Sequence, residues 1–309
     1  MLIVGDVQTG ILRGHPEAGD DVRRLVDLVA GEQVMVSERP LPLVRSPETR
    51  SGVDCPLLAP GSGRHLRGVG TVIQRSSITG GQVLQGSAYA TVSRAASGGR
   101  QPWSHYLARP GVVETLSRTR WDELADSLAA AGPPGAELDL EAIAGRAMDS
   151  VQWAVGAAEQ HPLRASRTGL RWVARVEPGR PFEVRFAVRK DHRRLLRITV
   201  PETSAAVLAA AGEDVALHDW LLTTLIEAVR KAAIGRLPRR DAVARLVPAI
   251  DHLLHLWLPG AHGDELSGEV WAVLEQRPGF SRQWQALVAR IRDQLSVGAV
   301  ESLSAAAGQ

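Results

Sequence analysis

The sequence predicts an α+β fold, an N-terminal β-rich unit followed by a basic β-hairpin packed on a C-terminal helical bundle. Three observations predict it. Through residues 66–93, β-favouring residues alternate and are punctuated by glycine pairs. At 184–189, Val184, Phe186 and Val188 interleave strictly with Arg185, Ala187 and Arg189, the period of a strand with one apolar and one basic face. After Pro201 the apolar spacing is that of helices to the C-terminus. The chain of 309 residues divides as 1–110 for the β-rich unit, 111–163 for a helical connection and 164–309 for hairpin plus bundle.

In chain order, Leu2-Ile3-Val4 and Val7 form a short apolar opening. Val22, Leu25, Val26 and Val29 then fall on one helix face, closed by Gly31. Residues 33–37 return to strand character, and Pro40, Pro42, Pro47, Pro56 and Pro60 make the next stretch extended and irregular. Val69, Thr71 and Ile73 lead into Thr79-Gly80-Gly81, where a tight turn needs positive φ, and Val83, Tyr89 and Thr91 lead out of it. From about 111 the pattern is helical. Thr119 and Asp122 resemble a capping box ahead of Leu124 and Leu128. Asp139 is placed to cap a second helix carrying Leu140, Ile143, Ala147 and Val151.

Residues 170–176 form a strand, and 182–188 with 195–200 form a hairpin turned at Asp191-His192. That hairpin either stands apart or extends the N-terminal sheet into one continuous domain; both arrangements fit the pattern. Residues 214–234 are apolar nearly all round and predict a buried central helix. Further stripes run over 240–258, kinked at Pro248, and over 284–295, with residues 305–309 expected to fray.

Composition excludes several classes. The single cysteine, Cys55, removes an internal disulfide framework and any multi-cysteine metal site. No apolar run approaches the ~20 residues of a membrane helix, and the first residues lack the pattern of a signal peptide, so no membrane and a cytoplasmic location are expected by elimination. Of 36 basic side chains only Lys190 and Lys231 are lysines, a bias that high-GC coding produces by itself. Position is more telling than count. Residues 164–197 carry a net charge of +8, and the segments on either side carry −3 each.

That basic segment holds the candidate binding residues Arg171, Arg175, Arg185, Arg189, Lys190, Arg193 and Arg194. Such a patch attracts phosphates by counterion release, or an anionic protein face by simple attraction. Aromatic interleaving is poor, and the phenylalanines lie on the apolar face, so base stacking is not indicated. The plainer reading pairs these arginines with the acidic flanks.

A lone intracellular cysteine with a histidine to activate it is the smallest catalytic constellation available. Cys55 would be the nucleophile, His105 its base and Asp54 or Tyr106 an orienting or proton-donating group, with Asp54 and Cys55 in a proline-bounded loop. The plainer reading is a small buried thiol. Asp251-His252-x-x-His255, followed by His262, has two potential metal ligands, but helical geometry turns them away from the apolar stripe and toward solvent. No metal is expected, nor any cofactor: Gly68-Val69-Gly70 and Gly80-Gly81 lack the residues that complete a nucleotide loop. Most tryptophans read as core fillers, and an exposed one would mark an interface.

Several phrases carry a resemblance: Val36-Ser37-Glu38-Arg39-Pro40, Gly52-Val53-Asp54-Cys55-Pro56-Leu57, Arg67-Gly68-Val69-Gly70-Thr71-Val72, Val83-Leu84-Gln85-Gly86-Ser87-Ala88 and Pro102-Trp103-Ser104-His105-Tyr106-Leu107. They resemble an uncharacterised actinobacterial protein family of the Streptomyces type. The resemblance runs over most of the chain and is densest before residue 115. It implies membership of a multi-protein system, because genes of that family tend to lie beside those for a P-loop protein and a methyltransferase-like protein. It transfers no functional residue. The first expectation is therefore a non-enzymatic component acting through protein–protein contacts, with a neighbouring P-loop protein as partner. The alternatives are a nucleic-acid-binding module using 164–197 and a cysteine-dependent enzyme using Cys55 and His105.

Overall fold

A computed structural model of the chain describes residues 1–14, 19–58, 65–97, 99–116, 120–130, 138–155, 161–189, 192–261 and 264–307. The elements run β1 (Leu2–Ile11), α1 (Gly19–Val26), β2 (Met35–Ser37), β3 (Leu43–Arg45), β4 (Thr49–Leu58), β5 (His65–Thr79) and β6 (Val83–Arg94). They continue with α2 (Trp103–Leu107), β7 (Val112–Thr115), α3 (Trp121–Ala130), α4 (Leu140–Ala154), β8 (Thr168–Val176), β9 (Glu183–Val188) and β10 (Arg194–Val200). Last come α5 (Ala205–Lys231), α6 (Arg239–Leu253), a 3₁₀ turn (Leu254–Leu256), α7 (Glu265–Gln276) and α8 (Phe280–Ala307). Among the described residues this is a mixed α+β protein of ten strands and eight α-helices.

All ten strands join one mixed sheet, in the order β2-β3-β5-β7-β6-β1-β8-β10-β9, with β4 paired to β5. β1 lies at its centre, antiparallel to β6 (Leu2↔Val92 to Ile11↔Val83) and to β8 (Leu2↔Arg175 to Thr9↔Thr168). Strands from before residue 110 and after residue 164 are thus neighbours, which is the second of the two arrangements the pattern allowed. β10 runs parallel to β8 and antiparallel to β9, which ends the sheet. At the Gly-Gly turn, Gly80 and Gly81 have φ of +59° and +70°, a conformation only glycine adopts at low cost.

Helices cover both faces. α5 packs across β1, β6 and β8, and α6, α7 and α8 pack in turn on α5. On the opposite face α4 lies over β6, β1 and β5, while α3 contacts β8, β4 and β1. Strand parity assigns each side chain. Along β5, Arg75 meets Glu213 of α5, whereas the Ser76 hydroxyl donates to the Ala147 carbonyl of α4. Capping follows the sequence at three helix starts: Asp139, Ser204 and Asp264 accept from the backbone N–H of Ala142, Val207 and Ser267.

Four local expectations are corrected. β1 runs unbroken through Asp6 and on past Val7 through Gln8 and Thr9 to Ile11, because both its faces are covered and those polar groups find partners. The proline-bounded loop at Asp54-Cys55 is the edge strand β4, where Pro56 is tolerated because no further strand needs its N–H. Residues 112–115 are strand β7 rather than helix, paired with β5 and β6. The final helix continues to Ala307. Thr119 of the expected capping box, the Gly132–Gly135 break, Lys190 and Asp191 lie outside the described residues.

Candidate functional site

Parity along β4 separates the proposed cysteine dyad. A Cβ on Gly52 would sit 3.3 Å from the Trp103 ring of α2, so Gly52 and Asp54 face α2. Cys55 points the other way, against the cluster of Leu57, Val113 and Leu124 under α3. His105, on α2, instead bonds through Nε2 to Glu114 Oε1 at 3.1 Å, and Arg109 pairs with the same buried carboxylate. Asp54 is held by Arg67 at 2.6 Å and Arg100 at 3.0 Å, and the Arg67 hydrogen bond keeps its carboxyl below the usual range. Asp54 and His105 thus share a face without Cys55. Accordingly His105→Ala is expected to leave the iodoacetamide labelling rate of Cys55 unchanged; a large fall in that rate would restore the dyad.

The basic segment is largely committed to ion pairs. Arg171 reaches Asp6 at 3.2 Å, Arg185 reaches Glu183 at 2.7 Å and Arg194 reaches Asp219 at 2.6 Å. Arg175 pairs with Asp122, Arg197 with Asp126 at 2.7 Å and Arg167 with Asp149 at 2.5 Å. Glu183 is two residues from Arg185 on β9 and Asp6 is on the neighbouring strand β1, whereas Asp122 and Asp126 of α3, Asp149 of α4 and Asp219 of α5 let Arg175, Arg197, Arg167 and Arg194 brace the sheet region against its helices. The Arg189 guanidinium donates to the Ala130 carbonyl of α3 at 2.9 Å. Exposed pairs of this kind contribute about 0–1 kcal/mol each. Arg194–Asp219, both nearly buried, holds β10 to α5 and faces away from Arg171.

Four of the candidate arginines meet at one cleft all the same, Arg194 among them although its guanidinium turns to Asp219. Arg171, Arg189 and Arg193, with Arg167, line a cleft of about 240 Å³ that Asp6, Gln8 and Glu141 also line. Asp6 is 3% exposed. Burial pushes its carboxyl up to about 6, outweighing the attraction of Arg171 and the hydrogen bond from Gln8. A raised folded-state value means that the folded protein holds this proton between about 3.8 and 6 while the unfolded chain has lost it. Stability from this group is therefore greatest at acid pH and falls as pH rises through that window, by about 3 kcal/mol at the limit. Asp6→Asn is expected to remove that decline, read as the difference between variant and wild-type urea midpoints across pH. Parallel pH curves for the two would contradict it.

Other polar groups were not singled out in the sequence. Glu213 of α5, 3% exposed, receives Arg75 through Nε at 2.8 Å and Nη2 at 3.0 Å, and Arg45 at 3.2 Å. Arg75 also meets Glu48 at 3.0 Å, which accepts the Tyr89 hydroxyl at 2.6 Å. In α5, His218 Nδ1 donates at 2.8 Å to the Asp214 carbonyl, and its ring meets the Trp257 and Trp271 rings edge-on. A charged residue inside an otherwise apolar helix was the only sequence signal for either.

The Asp251–His255 histidines do not face open solvent as a pair. His252 is half-buried, its Nδ1 3.0 Å from Gln82 Oε1 and its ring 4.7 Å from that of His161. His262 lies outside the described residues. Among the described residues no group of three or more histidine, cysteine or acidic side chains is placed to hold a metal ion, and no helix is long and apolar enough to cross a membrane.

Trp172, Trp220, Trp271 and Trp284 are buried and Trp121 and Trp257 half-buried, but Trp103 is 39% and Trp153 82% exposed. It stands at the end of α4 beside a surface cavity of about 680 Å³ lined also by Ile11, Arg13, Met148, Gln152 and Arg167.

No family model matches the chain, and neither the curated proteins nor the solved structures give a significant match. The residues themselves carry the functional reading.

Proposed function

We propose that this protein is a non-enzymatic component of a multi-protein system and acts through protein–protein contacts. The observation that carries the reading is Trp153, an almost fully exposed indole on a rigid helix, flanked by Arg13, Arg167 and Met148 around an open cavity. Tryptophan, arginine and methionine are the side chains enriched where proteins meet, and hot spots are built on the first two. Leaving so large an apolar ring in water has no structural return for the isolated chain. The ion pairs of Arg175, Arg194 and Arg197 favour this reading over nucleic-acid binding, because a guanidinium already facing a carboxylate gains less from a phosphate. The partner of choice is the P-loop protein encoded beside genes of the resembling actinobacterial family.

The test is co-elution of the two purified proteins in size-exclusion chromatography at moderate salt, with affinity measured by calorimetry. Trp153→Ala is expected to weaken binding at least about 30-fold, corresponding to a hot spot of about 2 kcal/mol. Because Trp153 touches little of the core, the variant retains its thermal midpoint. Separate elution of the wild-type proteins at both low and moderate salt would sink the proposal.

A further inference from the structure

We propose that the cleft floored by Asp6 and Arg171 is a binding site for a small phosphate monoester. Asp6 and Gln8 of β1 floor it, and its walls are the start of β8, the facing ends of β9 and β10, the end of α3 and the first turn of α4. Arg167, Arg171, Arg189 and Arg193 reach it from two of these, the start of β8 and the facing ends of β9 and β10, against the carboxyls of Asp6 and Glu141. One of those carboxyls is already matched, since Asp6 takes Arg171 Nε on Oδ2 and Gln8 Nε2 on Oδ1 at 3.0 Å.

The geometry of the floor points to an oxyanion. Arg171 uses only Nε on Asp6, and its two terminal nitrogens make no hydrogen bond among the described residues. They are 17% exposed as a side chain, so what they meet is the cleft. A guanidinium oriented by a carboxylate at one edge presents its fork to a tetrahedral anion, the arrangement that suits phosphate. Arg189 is likewise fixed, by its bond to the Ala130 carbonyl, so little side-chain entropy is lost on binding. Gly169 lets the strand pass close to Gln8, whose amide a Cβ there would meet at 2.6 Å.

Size and lining decide the rest. A concave volume of about 240 Å³ takes a compact ligand rather than a polynucleotide backbone, and among the described residues histidine is the only aromatic type on its wall, so those residues offer no base platform. Asp6, Gln8 and Glu141 beside the arginines offer acceptors and donors for hydroxyls. The class is a phosphorylated polyol such as a pentose phosphate.

The experiment is calorimetric titration of the full chain with ribose 5-phosphate, inorganic phosphate and ribose, at constant ionic strength maintained with chloride. Ribose 5-phosphate is expected to bind with a dissociation constant at or below about 1 mM, phosphate more weakly and ribose not at all. Arg189→Glu and Arg193→Glu, each checked for an unchanged thermal midpoint, are expected to weaken it at least tenfold. No heat from ribose 5-phosphate at about ten times that concentration would overturn the proposal, as would affinity unchanged in both variants. Much tighter binding of a single-stranded oligonucleotide than of ribose 5-phosphate would overturn it in favour of a nucleic-acid surface.

Discussion

Glu213→Ala is expected to lower stability by about 3–5 kcal/mol, the cost of removing one partner from a buried ion cluster. Burial opposes the charge on Glu213, yet Arg75 and Arg45 together hold its carboxyl below the usual range. Without it, two guanidiniums remain in the interface between β5, β3 and α5, Arg75 being 6% exposed and Arg45 20%. Arg75 keeps Glu48, but that carboxylate is 42% exposed and meets only Nη1. The loss is read from urea midpoints. A control separates charge from packing: Glu213→Leu with Arg75→Met, two apolar side chains of comparable bulk, is expected to recover a substantial part of the stability. A single-variant loss below about 1 kcal/mol would show that the cluster is solvated rather than buried.

The second large effect lies at the centre of the sheet. Trp172 is fully buried, its ring lying between Gly5 of β1 and Gly212 of α5. A Cβ on Gly5 would fall 2.3 Å from Cε2 and Cζ2 of that ring, and one on Gly212 would fall 2.7 Å from Cδ1. Neither strand nor helix can retreat, because β1 is bonded on both edges and α5 is enclosed by α6, α7 and α8. Gly5→Ala is expected to cost about 2–3 kcal/mol from overpacking. Trp172→Ala, which empties the same space, is expected to cost about 3–5 kcal/mol. The two are coupled: Gly5→Ala in a Trp172→Leu background costs much less than alone. Additive losses in that double-variant cycle would contradict the contact.

The parts of the fold that were legible in the sequence are those fixed by local chemistry. Gly80-Gly81 named its turn because both positions need positive φ, and Asp139 named the start of α4 because its side chain caps three residues on. The hairpin of β9 and β10 followed from strict alternation. What stayed hidden was decided by distant residues. Asp6 broke the apolar run of β1, and only Arg171, 165 positions away, explains why a carboxyl sits in a central strand. Pro56 disguised β4, since a proline is acceptable there only because that strand is an edge. Glu114, lying in the short run Val112-Val113-Glu114-Thr115, was the better pointer to His105 than Cys55 was, and a lone acid among β-favouring residues was the signal available. Cys55 and Asp54 are adjacent in sequence, but alternation puts neighbours in a strand on opposite faces.

The same distinction governs the arginines. Their crowding between 164 and 197 was plain, but apart from Glu183 beside Arg185 their carboxylates lie on β1, α3, α4 and α5, as with Arg175 and Asp122, 53 positions apart. A linear charge map shows a basic patch where the folded chain has cross-braces.

Binding of a labelled DNA duplex as a function of salt tests this most directly. A surface on which the arginines of 164–197 face phosphates would release many counterions and give a slope of log affinity against log salt of about −6 or steeper. Arginines committed to carboxylates predict weak binding, with a slope no steeper than about −2, the contribution of one or two phosphates at the Arg171 cleft. A steep slope, lost when Arg185, Arg189 and Arg193 are reversed to glutamate, would contradict the assignment of this segment to the architecture of the sheet.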